Sequence, residues 1–313
     1  MKIIVIDKVN DILFEMLREK GFIVDDYRNI EPKDVEAKLT NYQGIVIRSK
    51  IKLTAEILSK LNNLKFIARV GAGMESIDKE FAIKNGICLI NSPEGNRDSV
   101  GEHTVGLILS LLHKINIANT QAKQSIWNRE ANKCTELMGK TVGIIGYGNM
   151  GSATARRLSG FDVNVISYDK YKTNYSDGFT QEVDMNQIFE KTDILSLHVP
   201  LQDDTLYLVD YQYLSKFKKP IYLINTARGK VVKTADLIQK INEGKLLGAG
   251  LDVLEYEDIS FNKLNIEQNE VLQKIQNLPN VILTPHIAGL SFESSVKLAK
   301  VTAQKIIEKF ISN

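Results

Sequence analysis

The chain is poor in cysteine, balanced in charge and without a long apolar run, and each shortage excludes a class of protein. Cys88 and Cys134 are the two cysteines among 313 residues, far apart and outside any metal-ligand spacing. That argues against a disulfide-stapled fold and a zinc site, and points to a reducing compartment with no metal. Forty Lys+Arg stand against 38 Asp+Glu, a net of +2 with no block of either sign. No nucleic-acid partner and no membrane surface are therefore expected. The opening Met1-Lys2-Ile3-Ile4-Val5-Ile6-Asp7 is too short an apolar stretch for a secretory signal. The longest later run, around 105–112, falls far below the ~18 residues that span a bilayer. A soluble cytoplasmic protein is the expectation.

What is present is a succession of short apolar runs separated by helix-compatible segments. Residues 3–6, 22–24, 44–47, 66–70 and 87–90 read as buried strands, and 11–20, 32–39, 54–61 and 78–85 as helices between them. Continuous apolar strands separated by helices imply an α/β architecture, a parallel sheet covered on both faces. The first strand is followed by Asp7-Lys8-Val9-Asn10, with no glycine, so this unit has no dinucleotide loop. A helix over 99–123 is expected next, with Val100, Thr104, Leu107, Ile108, Leu111, Leu112, Ile115 and Ala118 on one apolar face. Ser99 and Glu102 read as its capping box, and so long a helix would suit a spine between two arrays. A second array follows, with strands at 141–145, 163–168, 193–197, 221–225, 247–253 and 281–284. The last helix, 294–310, is expected to return to the first unit. The domains expected are 1–97 with 286–313, and 98–285.

The loop Gly146-Tyr147-Gly148-Asn149-Met150-Gly151 joins the strand at 141–145 to a segment without helix breakers, and Asp169 closes the next apolar run. Strand, glycine turn, helix, strand and acid in that order match the dinucleotide-binding fingerprint. Glycines let backbone N–H groups and the helix N-terminus approach a pyrophosphate. Asp169 would accept from the adenine-ribose hydroxyls and repel a 2′-phosphate, favouring NAD although Lys170 follows. Open α/β sheets bind ligands at strand C-terminal ends. Those ends carry His198-Val199-Pro200, Thr226-Ala227-Arg228-Gly229, Asp252 to Glu257, and Thr284-Pro285-His286. His103 and His113 lie within the expected long helix and read as structural.

These segments, with Arg48-Ser49, Ala68-Arg69-Val70-Gly71-Ala72-Gly73, Asn91-Ser92-Pro93-Glu94-Gly95-Asn96 and Pro285-His286-Ile287-Ala288-Gly289, occur in the order found in one family. The chain resembles the D-isomer-specific 2-hydroxyacid dehydrogenases, and within them the short-form D-3-phosphoglycerate dehydrogenases. The resemblance implies two doubly wound parallel-sheet domains, a Rossmann NAD domain inserted into a flavodoxin-like substrate domain. It assigns catalysis to Arg228, Glu257 and His286. Arg228 would hold the substrate carboxylate and polarise the 2-oxo group. His286 would exchange the hydroxyl proton. Glu257 would orient the ring and favour the imidazolium. NAD contacts are expected from Gly146, Gly148, Asn149, Met150, Gly151, Asp169, His198, Val199, Pro200, Thr205, Thr226, Ala227, Asp252, Ala288 and Gly289. Thr205 is included because Gln202 stands where the family usually has Thr, and Asp258 follows Glu257 where Pro is frequent.

Substrate contacts are expected from Arg48, Ser49, Arg69, Val70, Gly71, Ala72, Gly73 and Asn96, with the turn at 70–73 read as an anion nest. Two arginines favour a small phosphorylated 2-hydroxy acid. The activity implied is NAD-dependent oxidation of 3-phospho-D-glycerate to 3-phosphohydroxypyruvate, the entry to serine biosynthesis. Glyoxylate or hydroxypyruvate reduction is the alternative within the family, and an NAD-binding corepressor without turnover the alternative outside it. The family further implies a homodimer, and Arg129 resembles a position that reaches a neighbouring subunit. A regulatory domain after the last helix, and inhibition through it, is not expected.

Overall fold

Ile3, Ile4, Val5 and Ile6 are all fully buried, so the first strand needs apolar cover on both of its faces. The computed structural model supplies that cover. It describes residues 1–258, 264 and 270–311 and divides into two units, Met1–Arg97 with Gly289–Asn313, and Asp98–Ala288. The first unit runs β1 (Lys2–Val5), α1 (Ile12–Glu19), β2 (Ile23–Asp26), α2 (Pro32–Lys38), β3 (Gly44–Ile47), α3 (Ala55–Ser59), β4 (Phe66–Arg69), α4 (Lys79–Lys84) and β5 (Cys88–Asn91). All pairings are parallel in the order β2-β1-β3-β4-β5. That order reverses direction between β1 and β3, the topological switch point of a doubly wound sheet. Ile3 and Val5 pack into one core with Leu13 and Leu17 of α1, whereas Ile4 and Ile6 pack into another with Val35 and Leu58.

The second unit opens with α5 (Arg97–Leu112) and α6 (Ile115–Lys123). It continues with β6 (Thr141–Ile145), α7 (Asn149–Leu158), β7 (Asn164–Tyr168), β8 (Gln181–Glu182), α8 (Met185–Lys191), β9 (Ile194–Leu197) and α9 (Tyr211–Ser215). Then come β10 (Ile221–Asn225), α10 (Thr234–Asn242), β11 (Leu246–Leu251), α11 (Glu270–Gln276) and β12 (Val281–Leu283). Its parallel sheet has the order β12-β11-β10-β9-β6-β7-β8, with the switch point between β6 and β9. The final helix α12 (Phe292–Ile311) belongs to the first unit, where Leu298, Ala299, Ala303 and Ile306 enter the core beside α1. No helix among the described residues is long and apolar enough to cross a membrane.

Three details differ from the sequence reading. The helix expected over 99–123 is broken, because Lys114 takes a left-handed conformation (φ 52°) between α5 and α6. The apolar face expected across the break is buried in α5 alone, against Val142 and Ile144 of β6, and α6 buries no residue. The capping box does not form. The helix starts two residues before Ser99, whose Oγ donates to the Ala288 carbonyl at 2.7 Å, while Glu102 accepts from Arg157 at 3.3 Å. The boundary expected at residue 286 lies after Ala288. The N–H groups of Ile287 and Ala288 donate to Asp252, which keeps His286 and its turn with the second sheet.

Candidate active site

The parallel strands of the second sheet deliver their C-terminal ends in a row. Along it follow His286 after β12, Asp252 and Glu257 after β11, Arg228 after β10, His198 after β9, the glycine loop after β6 and Asp169 after β7. Gly146 has φ +92°, and a Cβ there would lie 2.6 Å from the His198 carbonyl oxygen. A Cβ on Gly151 would strike the Gly146 carbonyl. Gly148 faces open space and starts α7 with no side-chain cap, so the N–H groups of the first turn, at Asn149 and Met150, have no acceptor among the described residues. Asp169 holds this loop from the next strand, one oxygen accepting from Tyr147 N–H at 2.8 Å and the other from Tyr171 N–H at 2.9 Å. Each carboxylate oxygen keeps a second lone pair for a ribose hydroxyl. Lys170 is paired with Asp204 at 2.6 Å, and Lys172 donates through Nζ to the Tyr147 carbonyl at 2.7 Å. A positive-φ glycine, an uncapped helix start and an acid at the next strand end together fit NAD.

Asn225 is fully buried at the end of β10 and clamps the arginine loop, accepting from Ala227 N–H at 3.0 Å and donating to the Arg228 carbonyl at 2.9 Å. The half-buried Arg228 guanidinium donates to the Ala227 carbonyl through Nη1 at 2.6 Å. The next residue must be glycine, because a Cβ on Gly229 would overlap the Leu254 carbonyl group. Beyond Leu254, Glu257 accepts from the Leu254 N–H through Oε1 at 2.5 Å and meets His286 Nδ1 through Oε2 at 2.7 Å. The two side chains are 13% and 23% exposed, so a charge-assisted bond between them is largely shielded from water. His286 itself has φ +54°, and its N–H donates to the Asp252 carbonyl at 2.7 Å.

Four side chains expected at the cofactor also make hydrogen bonds within the protein. The Asp252 carboxylate is 1% exposed and accepts from Thr284 Oγ1 (2.6 Å), Ile287 N–H (2.9 Å) and Ala288 N–H (2.8 Å). It is the anchor of the His286 turn. Thr226 Oγ1 lies 3.1 Å from Thr104 Oγ1 of α5. Thr205 Oγ1 donates to the Pro200 carbonyl at 2.6 Å and accepts from Gln202 N–H, closing its own loop after Val199. His198 Nε2 pairs with Ser196 Oγ at 2.9 Å, its Nδ1 is enclosed without a partner among the described residues, and burial pushes the ring down to about 4. A histidine so held is neutral and unsuited to proton transfer. Gly289 falls in the first unit, where a Cβ would lie 2.5 Å from Asn96 Nδ2.

In the first unit the anion nest is narrower than expected. Val70 N–H donates to the Ile47 carbonyl at 2.9 Å, and Gly71 N–H to Ser92 Oγ at 3.1 Å, which leaves Ala72 and Gly73 N–H without acceptors among the described residues. Arg69 donates through Nε to the Arg48 carbonyl at 3.1 Å, and its guanidinium covers Gly71. Arg48 is half-buried, and its guanidinium has no acceptor among the described residues. The Ser49 N–H is used by Asp7, and Asn96 Oδ1 is buried without a partner among the described residues. Asp7 and Asn225 lie outside the set of site residues expected from sequence. Their only signal in sequence is a polar residue ending a buried strand.

The second unit thus has the architecture of a dinucleotide-dependent oxidoreductase domain. The family model described as D-isomer specific 2-hydroxyacid dehydrogenase, NAD binding domain, matches residues 105–288. The chain belongs to the D-isomer-specific 2-hydroxyacid dehydrogenase family, and NAD is its cofactor. It is 32% identical to a hydroxypyruvate reductase of Thermotoga maritima, over 94% of both chains. It is 33% identical to D-3-phosphoglycerate dehydrogenase of Bacillus subtilis over 98% of its own length, spanning 56% of that longer relative. Among solved structures it is similar to D-lactate dehydrogenase from Aquifex aeolicus complexed with NAD and lactic acid. That likeness has a TM-score of 0.81 and 29% identity, and covers 99% of this chain and 95% of the other.

Proposed function

We propose that the protein oxidises 3-phospho-D-glycerate to 3-phosphohydroxypyruvate, the first step of serine biosynthesis. The observation that carries the dehydrogenase chemistry is the Glu257–His286 pair at 2.7 Å, two strands from an arginine on the same sheet edge. Arg228 binds the substrate carboxylate and draws electron density from the C2 oxygen with a permanently charged fork. With Nδ1 held by Glu257, His286 receives the hydroxyl proton at Nε2 as the C2–H bond breaks, and Glu257 stabilises the imidazolium that forms. NAD, when bound, supplies the acceptor for the hydride.

The phosphorylated substrate is supported by Arg48, a half-buried guanidinium without an internal acceptor, with Arg69 bonded to its carbonyl. The reading is tested by NADH oxidation with 3-phosphohydroxypyruvate beside hydroxypyruvate, glyoxylate, pyruvate and 2-oxoglutarate. The phosphorylated acid should have the highest kcat/KM. A preference for hydroxypyruvate would instead favour the activity named for the Thermotoga relative, and would return Arg48 to the surface. A homodimer is proposed as well, because α6 buries nothing within its own chain and Trp127 beyond it is 81% exposed. A monomer mass in sedimentation would refute that.

A further inference from the structure

Asp7 is 8% exposed and sits where β1 ends beside β3, at the switch point of the first sheet. One oxygen, Oδ2, accepts three successive backbone N–H groups, from Arg48 at 2.6 Å, Ser49 at 3.0 Å and Lys50 at 3.1 Å. Three N–H groups converging on one point form an anion nest, and here the chain's own carboxylate fills it. The other side of the Arg48 residue is held as well, since its carbonyl accepts from Arg69 Nε at 3.1 Å. Arg48 is therefore gripped at its N–H by Asp7 and at its C=O by Arg69, while its guanidinium has no acceptor among the described residues. A backbone held at both ends limits the arc through which that side chain can swing.

We propose that Asp7 is a positioning residue that orients Arg48, and Arg69 bonded to it, for the substrate phosphate, and thereby sets the preference for phosphorylated over unphosphorylated acids. This rests on the substrate reading above. A competing account treats Asp7 only as a charge. The two differ in sign. A carboxylate near a bound phosphate repels it, so neutralising Asp7 would lower KM if charge alone mattered. If position matters, the location of the acceptor decides and its charge is secondary.

Two substitutions separate these accounts. Asp7→Asn removes the charge but keeps an oxygen that can accept the same three N–H groups. Asp7→Glu keeps the charge but moves the acceptor by one methylene. KM and kcat would be measured for both, with 3-phosphohydroxypyruvate and with hydroxypyruvate, beside Arg48→Ala. Arg48→Ala should raise KM for the phosphorylated acid more than for hydroxypyruvate. If it does not, the phosphate reading fails and the inference with it. Where it does, Asp7→Glu should raise the same KM roughly tenfold, the scale of one displaced charged hydrogen bond, with the effect on KM rather than kcat. Asp7→Asn should stay within about threefold of wild type. A lowered KM in Asp7→Asn, or a Glu variant with wild-type preference, overturns the positioning role while leaving the phosphate reading intact. Should Asp7→Glu not fold, Asp7→Asn decides alone by whether its KM stays or falls.

Discussion

Burial of His198 should be readable as a pH dependence of stability. Its Nδ1 is enclosed without a partner among the described residues, Nε2 is spent on Ser196, and burial pushes the ring from an ordinary 6.5 to about 4. In the unfolded chain the imidazole takes a proton near 6.5. Above that pH both states are neutral and the group contributes no pH dependence. As pH falls further, the unfolded chain gains a proton that the native state refuses, so stability is lost until the folded value near 4 is reached. The slope is about 1.4 kcal/mol per pH unit, giving on the order of 3 kcal/mol over the window and about 2 kcal/mol by pH 5. The assay is urea unfolding of wild type and His198→Gln at pH 7.5, 6.5 and 5.0, followed by circular dichroism. Glutamine can keep a bond to Ser196 and cannot titrate. The other three histidines and the carboxylates titrate in both proteins and cancel in the difference. The variant should be the less stable at pH 7.5, and the gap should close by about 2 kcal/mol by pH 5. A gap that stays constant across the three pH values would refute the reasoning, because His198 would then protonate as readily folded as unfolded.

Glu257→Gln keeps a partner for His286 but removes the charge that stabilises imidazolium, so kcat should fall about 10²-fold with NADH affinity unaltered. His286→Ala should end turnover with NADH still bound, and steady-state rates with NADH fluorescence titration check both; wild-type kcat in either variant contradicts the assigned roles. Gly229→Ala forces a methyl into the Leu254 carbonyl, and should cost about 2–3 kcal/mol of stability together with much of kcat. An unshifted Tm with full activity would show that the loop yields without moving Arg228.

The alternation of strands and helices was legible because residues such as Ile3 to Ile6 and Ile45 to Ile47 are apolar without interruption, as strands covered on both faces must be. The glycine loop was legible because its chemistry is local: Gly146 and Gly151 each fill a place where a Cβ collides. The break at Lys114 was not. The apolar spacing continues across it through Ile115 and Ala118, and a left-handed lysine leaves no mark on that pattern. Nor could strand ends reveal where their polar side chains turn. Thr205, Thr226 and Asp252 stand at strand ends, and each is bonded to its own loop or to a neighbouring segment, which the sequence pattern does not show. The role of Asp7 at the end of its strand leaves no mark in the sequence, because its three N–H partners lie 41 to 43 residues away.

The proposed catalytic trio, Arg228, Glu257 and His286, follows three different strands, which raises the question of what keeps its members in register. The geometry points to one short segment, Asp252-Val253-Leu254. The Asp252 carboxylate accepts the N–H groups of Ile287 and Ala288, and its carbonyl accepts that of His286. These bonds hold His286 in a left-handed conformation that costs a non-glycine residue about 1 kcal/mol or more. The Leu254 N–H fixes the Glu257 carboxylate, and the Leu254 carbonyl group is the surface on which Gly229 rests beside Arg228. Asp252 N–H in turn donates to the carbonyl of Asn225, the residue that clamps the arginine loop. Every member of the trio is thus referred to the same three residues within one or two contacts. A shift of that segment would displace Glu257, His286 and Arg228 together, so their mutual geometry tolerates motions that would disorder groups anchored separately.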